Sequence, residues 1–77
     1  MLEVIIYSKD HCPLCDDAVH LLEEMQVEES FNLTVIDIYK DDALLEKYQL
    51  MIPVVVINGE EIDYGQISRE KVRRHIV

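Results

Sequence analysis

Tyr7-Ser8-Lys9-Asp10-His11-Cys12-Pro13-Leu14-Cys15 is the stretch on which the fold turns. The apolar run Leu2–Tyr7 leads into it, and a helical pattern reaching Val27 follows it. Cys12 and Cys15 are the only cysteines among the 77 residues. Two thiols at this spacing, one helical turn apart at a strand-to-helix junction, can close a small disulfide ring and reopen it. Such a pair carries two electrons. Pro13 fits the first helical position, where its missing N–H is not needed. Cys12 then falls at the N-cap, its sulfur toward the unpaired N–H groups and the positive end of the helix dipole. A thiolate is favoured there, and the thiolate is the reactive species.

Periodicity assigns the elements on either side. Leu2–Tyr7 is a near-continuous apolar run, as expected of a strand covered on both faces. From Pro13 to Val27, Cys15, Ala18, Val19, Leu22 and Met25 fall on one helical stripe, which Glu28-Glu29-Ser30 ends. Phe31–Tyr39 is rich in β-formers and predicts a second strand. Asp41–Tyr48 predicts a short helix capped by Asp41 or Asp42, with Leu44, Leu45 and Tyr48 facing inward. Pro53–Ile57 predicts a third strand, which Asn58-Gly59 turns back as a hairpin into Glu60–Tyr64. The last helix opens at Ser68, with Ile67 and Val72 spaced as a hydrophobic staple, and is expected to run to the C-terminus. The order β-α-β-α-β-β-α begins with a crossover that demands parallel pairing and ends in an antiparallel hairpin. The expectation is an α/β domain over residues 1–77, with a four-stranded mixed sheet flanked by helices.

A chain this short supports one domain, which buries about 60% of its unfolded surface. A hydrophobic fraction of 49% suffices for a core. A secreted chain of this size would need several spanning disulfides, which Cys12 and Cys15 cannot supply, so a reducing, cytoplasmic setting is expected. The first strand starts directly after Met1, with no basic region or cleavage site to mark a targeting segment. Apolar runs such as Met51–Ile57 are too short for a bilayer, so no membrane partner is expected. Seven Lys+Arg against 16 Asp+Glu give a formal charge of −9. Phosphate repulsion then argues against nucleic acid. The acidity serves solubility, or steers the chain toward a basic docking face.

With Pro53 opening the third strand, the element order and the cysteine pair resemble the thioredoxin fold in its shortest form. Tyr7–Cys15 is similar to the glutaredoxin signature, in which an aromatic, a hydroxyl residue and a lysine lead into C-P-Y-C. The resemblance covers essentially the whole chain. It implies a thiol–disulfide oxidoreductase with Cys12 as nucleophile and Cys15 as resolving thiol. The residues agree, since Cys12 is expected at an exposed N-cap and Cys15 on the core-facing stripe. By the same resemblance Pro53 matches a cis-proline opposite the cysteines, and the Ile52 backbone would pair with an extended substrate chain. The candidate substrate-binding residues are Lys9, Pro13, Leu14, Ile52, Pro53, Tyr64 and Gly65. The implied partners are a protein or small disulfide and a reductase or glutathione that recycles the dithiol. A monomer is expected, with no cofactor beyond the cysteines.

The chain departs from the glutaredoxin pattern in three places. Leu14 replaces tyrosine, and Met51-Ile52-Pro53 replaces T-V-P. Glutaredoxins hold the glutathione γ-glutamyl group on a G-G-x-D-D-like turn, where this chain has Asp63-Tyr64-Gly65-Gln66-Ile67-Ser68. Only Gly65 and Ser68 could substitute. The pattern is closer to the small glutaredoxin-like proteins. Glutathione is expected to be a weak specific ligand, because Lys9 is the one well-placed cation, while Asp16, Asp17 and the net charge repel an anionic tripeptide. The alternative use of the pair, as part of a metal or iron–sulfur site, lacks the second C-x-x-C or H-x₃₋₅-H of a four-ligand set. His11, His20 or a dimer partner would have to contribute. His20 and His75 otherwise read as solvated helix residues, and Tyr7, Tyr39, Tyr48 and Tyr64 as core or core-edge aromatics.

The charges around Cys12 act in opposite directions. The helix terminus and Lys9 favour its thiolate and Asp16 and Asp17 oppose it, each by roughly 0.3–1 kcal/mol. Moderate acidification is the expected balance. A redox titration should therefore place the Cys12–Cys15 couple between about −270 and about −180 mV, the span from thioredoxin to disulfide isomerase. A strongly oxidising couple near about −120 mV would show that these charges do not govern the sulfur.

Overall fold

The computed structural model describes residues 2–76. At its centre lies β1 (Glu3–Ser8), whose pleat sends Val4 and Ile6 to one face and Ile5 and Tyr7 to the other. The helix α1 (Pro13–Glu28) crosses over to β2 (Asn32–Asp37), which runs parallel to β1 with Glu3 beside Asn32 and Ser8 beside Asp37. On the other side of β1, β3 (Val54–Ile57) pairs antiparallel, Val4 opposite Ile57 and Tyr7 opposite Val54. The hairpin partner β4 (Glu60–Tyr64) completes the order β2-β1-β3-β4. This is the mixed four-stranded sheet expected from the element order. The helices α1 and α3 (Arg69–Ile76) cover one face and α2 (Asp42–Tyr48) the other. No helix among the described residues is long and apolar enough to cross a membrane.

Both layers draw on β3, whose four residues are all buried. Val55 and Ile57 pack with Val4, Ile6, Leu22, Met25, Phe31 and Val72. Val54 and Val56 pack with Ile38 and Tyr48 on the opposite face. Burying one such side chain contributes about 1.5–3 kcal/mol, whereas a solvated ion pair contributes about 0–1. The two apolar layers therefore hold the fold, and surface pairs such as Arg69–Glu24 only decorate it.

The turns follow their sequence chemistry. Asn58 and Gly59 have φ 49° and 85°, both in the left-handed region that a two-residue type I′ hairpin requires. Asn58 also fastens the hairpin to the start of β1: its Oδ1 accepts the Glu3 N–H at 3.0 Å, and its own N–H donates to the Glu3 carbonyl at 2.9 Å. Ser68 caps α3, its Oγ accepting the Lys71 N–H at 3.3 Å, and Ile67 and Val72 meet in one core as the staple requires. The last helix continues to Ile76; its expected end at Val77 lies outside the described residues.

Two expectations are corrected. The second strand ends at Asp37, not Tyr39, because the Asp37 carboxylate accepts the Tyr39 N–H at 2.9 Å and turns Ile38–Lys40 into a single 3₁₀ turn. Tyr39 and Tyr64 are not core aromatics. Each is 59% exposed, Tyr39 on that turn and Tyr64 at the end of an edge strand. Tyr48 is buried, and half-buried Tyr7 stacks on it with ring centroids 4.8 Å apart.

Tyr48 also anchors a polar contact at the β4 edge. Its hydroxyl donates to Glu61 Oε2 at 2.6 Å, and Lys47 Nζ stands 3.4 Å from the same oxygen. The Tyr48 hydroxyl first, and Lys47 second, hold the Glu61 carboxyl below its ordinary value of 4.5. A carboxyl lowered on folding contributes stability above its ordinary pKa and loses it as pH falls through the lowered value. Glu61→Gln should therefore lower the urea midpoint at neutral pH, and the gap to the parent should close in acid well below 4.5. A gap that persists there would assign the contribution to shape and not to charge.

Candidate active site

Beyond β1 the chain leaves the sheet through Lys9, Asp10 and His11, all exposed. His11 has φ 55°, the left-handed region, where a side chain other than glycine costs about 1–2 kcal/mol. This reversal delivers Cys12 to the N-cap of α1 in an extended conformation, φ −125° and ψ 99°. Its Sγ accepts the Cys15 N–H at 3.2 Å, and its carbonyl accepts the Asp16 N–H at 3.0 Å. Pro13 takes the start of the helix. Cys12 and Cys15 are joined as a disulfide, their Cα atoms 5.2 Å apart. The sulfur faces the first-turn N–H groups, as its N-cap position dictates.

Exposure departs from expectation. Cys12 keeps only 8% of its surface and Cys15 only 2%. Cys12 lines a solvent-open hollow of about 490 Å³, and the surrounding walls shield it. Lys9, His11, Pro13 and Leu14 form one side, and Gln49, Leu50 and Ile52 of the α2–β3 loop form the other. That loop is tied back to α2, because the Tyr48 carbonyl accepts N–H bonds from both Met51 (2.8 Å) and Ile52 (3.2 Å). The Ile52–Pro53 peptide is cis, as the resemblance implied, and Pro53 is buried.

Of the candidate substrate residues, Lys9, Pro13, Leu14 and Ile52 stand around Cys12. Pro53, Tyr64 and Gly65 do not line that hollow. Tyr64 lines a separate one of about 200 Å³ with Met51, Val54 and Lys71 among others. Gly65 has φ 72°, which favours glycine, and its N–H is already bonded to the Met51 (3.1 Å) and Pro53 (2.9 Å) carbonyls. Gln49 and Leu50 line the Cys12 hollow too, although neither is among the candidates from the sequence. The available signal was the apolar run Leu50-Met51-Ile52 just before a proline, off the inward stripe of α2.

On the other side of Leu14 lies a smaller hollow of about 150 Å³, bounded by Asp17, Ala18 and Leu21 of α1 and by Gln66 and Ile67. Asp63 organises this β4–α3 loop: Oδ2 accepts the Ser68 N–H at 2.8 Å, Oδ1 accepts the Tyr64 N–H at 2.9 Å, and Lys71 Nζ is 3.6 Å away. His20 and His75 are exposed on their helices. Among the described residues no group of three or more His, Cys, Asp or Glu side chains is placed to hold a metal ion.

A β2-β1-β3-β4 mixed sheet, a Cys-x-x-Cys pair at its first strand-to-helix junction and a cis-proline before β3 together define a thioredoxin-fold protein. Solved structures agree on the fold. A Nitrosomonas europaea protein matches with a TM-score of 0.89 at 20% identity, over 99% of this chain and 92% of that one. An X. campestris protein matches with a TM-score of 0.77 at 29% identity, over 94% and 92%. A mutant thioredoxin from Halobacterium salinarum matches with a TM-score of 0.72 at 19% identity, over 97% and 71%. The family model of the Glutaredoxin-like domain (DUF836) matches residues 3–77, and the chain belongs to that family.

The left-handed turn before Cys12 is testable. His11→Val places a branched β-carbon where it fits worst, so it should be less stable than His11→Asn by about 1 kcal/mol or more. Urea titrations of the two variants measure the difference. Equal midpoints would show that the loop relaxes out of the left-handed conformation at no cost.

Proposed function

We propose that this glutaredoxin-like protein is a thiol–disulfide oxidoreductase that reduces disulfides of proteins and accessible small molecules. One observation carries the reading: the Cys12 sulfur sits at a helix N-cap, accepts the Cys15 N–H and is bonded to Cys15. In the reduced protein the Cys12 thiolate attacks one sulfur of the substrate disulfide. That S–S bond breaks, and the departing sulfur leaves as a thiolate and takes a proton from solvent. Cys15, having lost its proton, then attacks Cys12 Sγ, closes the ring and releases the second substrate thiol. Two electrons pass from the dithiol to the substrate, and a thiol reductant or a reductase returns them. The near-complete burial of Cys15 suits a thiol whose target is its neighbour.

The walls around Cys12 favour a polypeptide substrate. Pro13, Leu14, Leu50 and Ile52 present apolar surface, and Lys9 is the one Lys or Arg. Since the Ile52 N–H is bonded to Tyr48, pairing with a substrate chain falls to the Ile52 carbonyl. Glutathione, with two carboxylates to satisfy, fits better as a recycling reductant than as a specifically held ligand. The protein is proposed to work in the cytoplasm, as a monomer, with no cofactor beyond its dithiol.

Cys15→Ser, offered an oxidised protein, should accumulate mixed disulfides through Cys12, whereas Cys12→Ser should accumulate none. Non-reducing electrophoresis and mass spectrometry of the trapped species read the outcome. Equal trapping by the two variants, or none by either, overturns the assignment of roles.

A further inference from the structure

We infer that the small hollow between α1 and the β4–α3 loop receives a basic side chain, Lys or Arg, of the polypeptide whose disulfide is reduced, with Asp17 as its recognising carboxylate. This rests on the oxidoreductase reading above.

Leu14, 45% exposed, lines two hollows at once. One contains Cys12. The other contains Asp17 and Gln66. A segment whose cysteine engages Cys12 therefore reaches the second hollow by crossing a single side chain. At about 150 Å³ that hollow is well below the ~300 Å³ at which small-molecule sites begin. It holds one long side chain. Leu14, Ala18, Leu21 and Ile67 supply apolar walls for a methylene stem, while Asp17 and Gln66 supply acceptors for a charged head.

Charge selects the head group. Asp17 is the only ionisable residue lining the hollow, and it enters no ion pair among the described residues. Of the Lys and Arg residues of the neighbouring α3, Arg69 pairs with Glu24, Lys71 with Asp63 and Arg74 with Glu70, and Arg73 lines a different hollow beside Glu28 and Glu29. A Glu or Asp side chain would meet Asp17 within a chain of net charge −9. An apolar side chain would desolvate the carboxylate without compensation. A guanidinium or ammonium satisfies it and keeps its stem on apolar surface.

The test uses short peptides carrying one cysteine in a mixed disulfide, identical except for Arg, Ala or Glu at the positions flanking that cysteine. The quantity is kcat/KM, with hydroxyethyl disulfide run on every variant to normalise for changed thiolate reactivity. The parent should prefer Arg over Glu by about tenfold, chiefly through KM. Asp17→Asn should abolish most of that preference, and Asp17→Lys should reverse it. Asp16→Asn removes the same charge one residue away but outside the hollow, so it should keep the preference. Equal rates on Arg and Glu peptides, or equal losses in Asp16→Asn and Asp17→Asn, overturn the inference and leave the oxidoreductase reading standing. Failure to reduce any disulfide, hydroxyethyl disulfide included, brings down that reading and the inference with it.

Discussion

The antiparallel pairing of β1 with β3 decides where chemistry can occur. Because Tyr7 lies opposite Val54, the chain leaving β1 and the chain entering β3 emerge at the same end of the sheet. The Cys12 turn and the Ile52–Pro53 peptide thus meet, although they are far apart in sequence. A slip of one residue would turn Val55 and Ile57 out of the layer they share with Leu22 and Val72, so the register is held by both cores.

The wall facing Cys12 depends on packing behind it. Tyr48 stacks on Tyr7, donates to Glu61, and offers its carbonyl to Met51 and Ile52. One buried residue of α2 therefore connects the second core, the β4 edge and the loop that shields the sulfur. On the opposite side Cys12 is placed by its own helix. The left-handed His11 aims the chain, Pro13 starts the helix, and the Cys15 N–H meets the sulfur.

Nearly all of the topology was legible, because it rests on local signals. Periodicity marked α1, Asn58-Gly59 marked the hairpin, and Ser68 with Ile67 and Val72 marked α3. The strand that ends early does so through a side-chain bond from Asp37, which competes with β propensity and leaves no mark in the hydrophobic pattern. At the site, the cysteine pair and Pro53 stood out by residue type and spacing. Gln49, Leu50 and the shielding of Cys12 did not, since they arise where a loop from another layer folds beside the helix N-terminus. Tyr64 looked close by chain position, yet it lines a different hollow on the β4 edge.

The recessed sulfur has a consequence for encounters between copies of the protein. Cys12 keeps little exposed surface within its solvent-open hollow, and every copy carries the same excess of negative charge. Like-charge repulsion slows their approach. Cys15, held one helical turn away, competes at the high effective concentration of an intramolecular partner. For a dithiol that cycles as proposed, ring closure within one chain is therefore favoured over a bond between two copies.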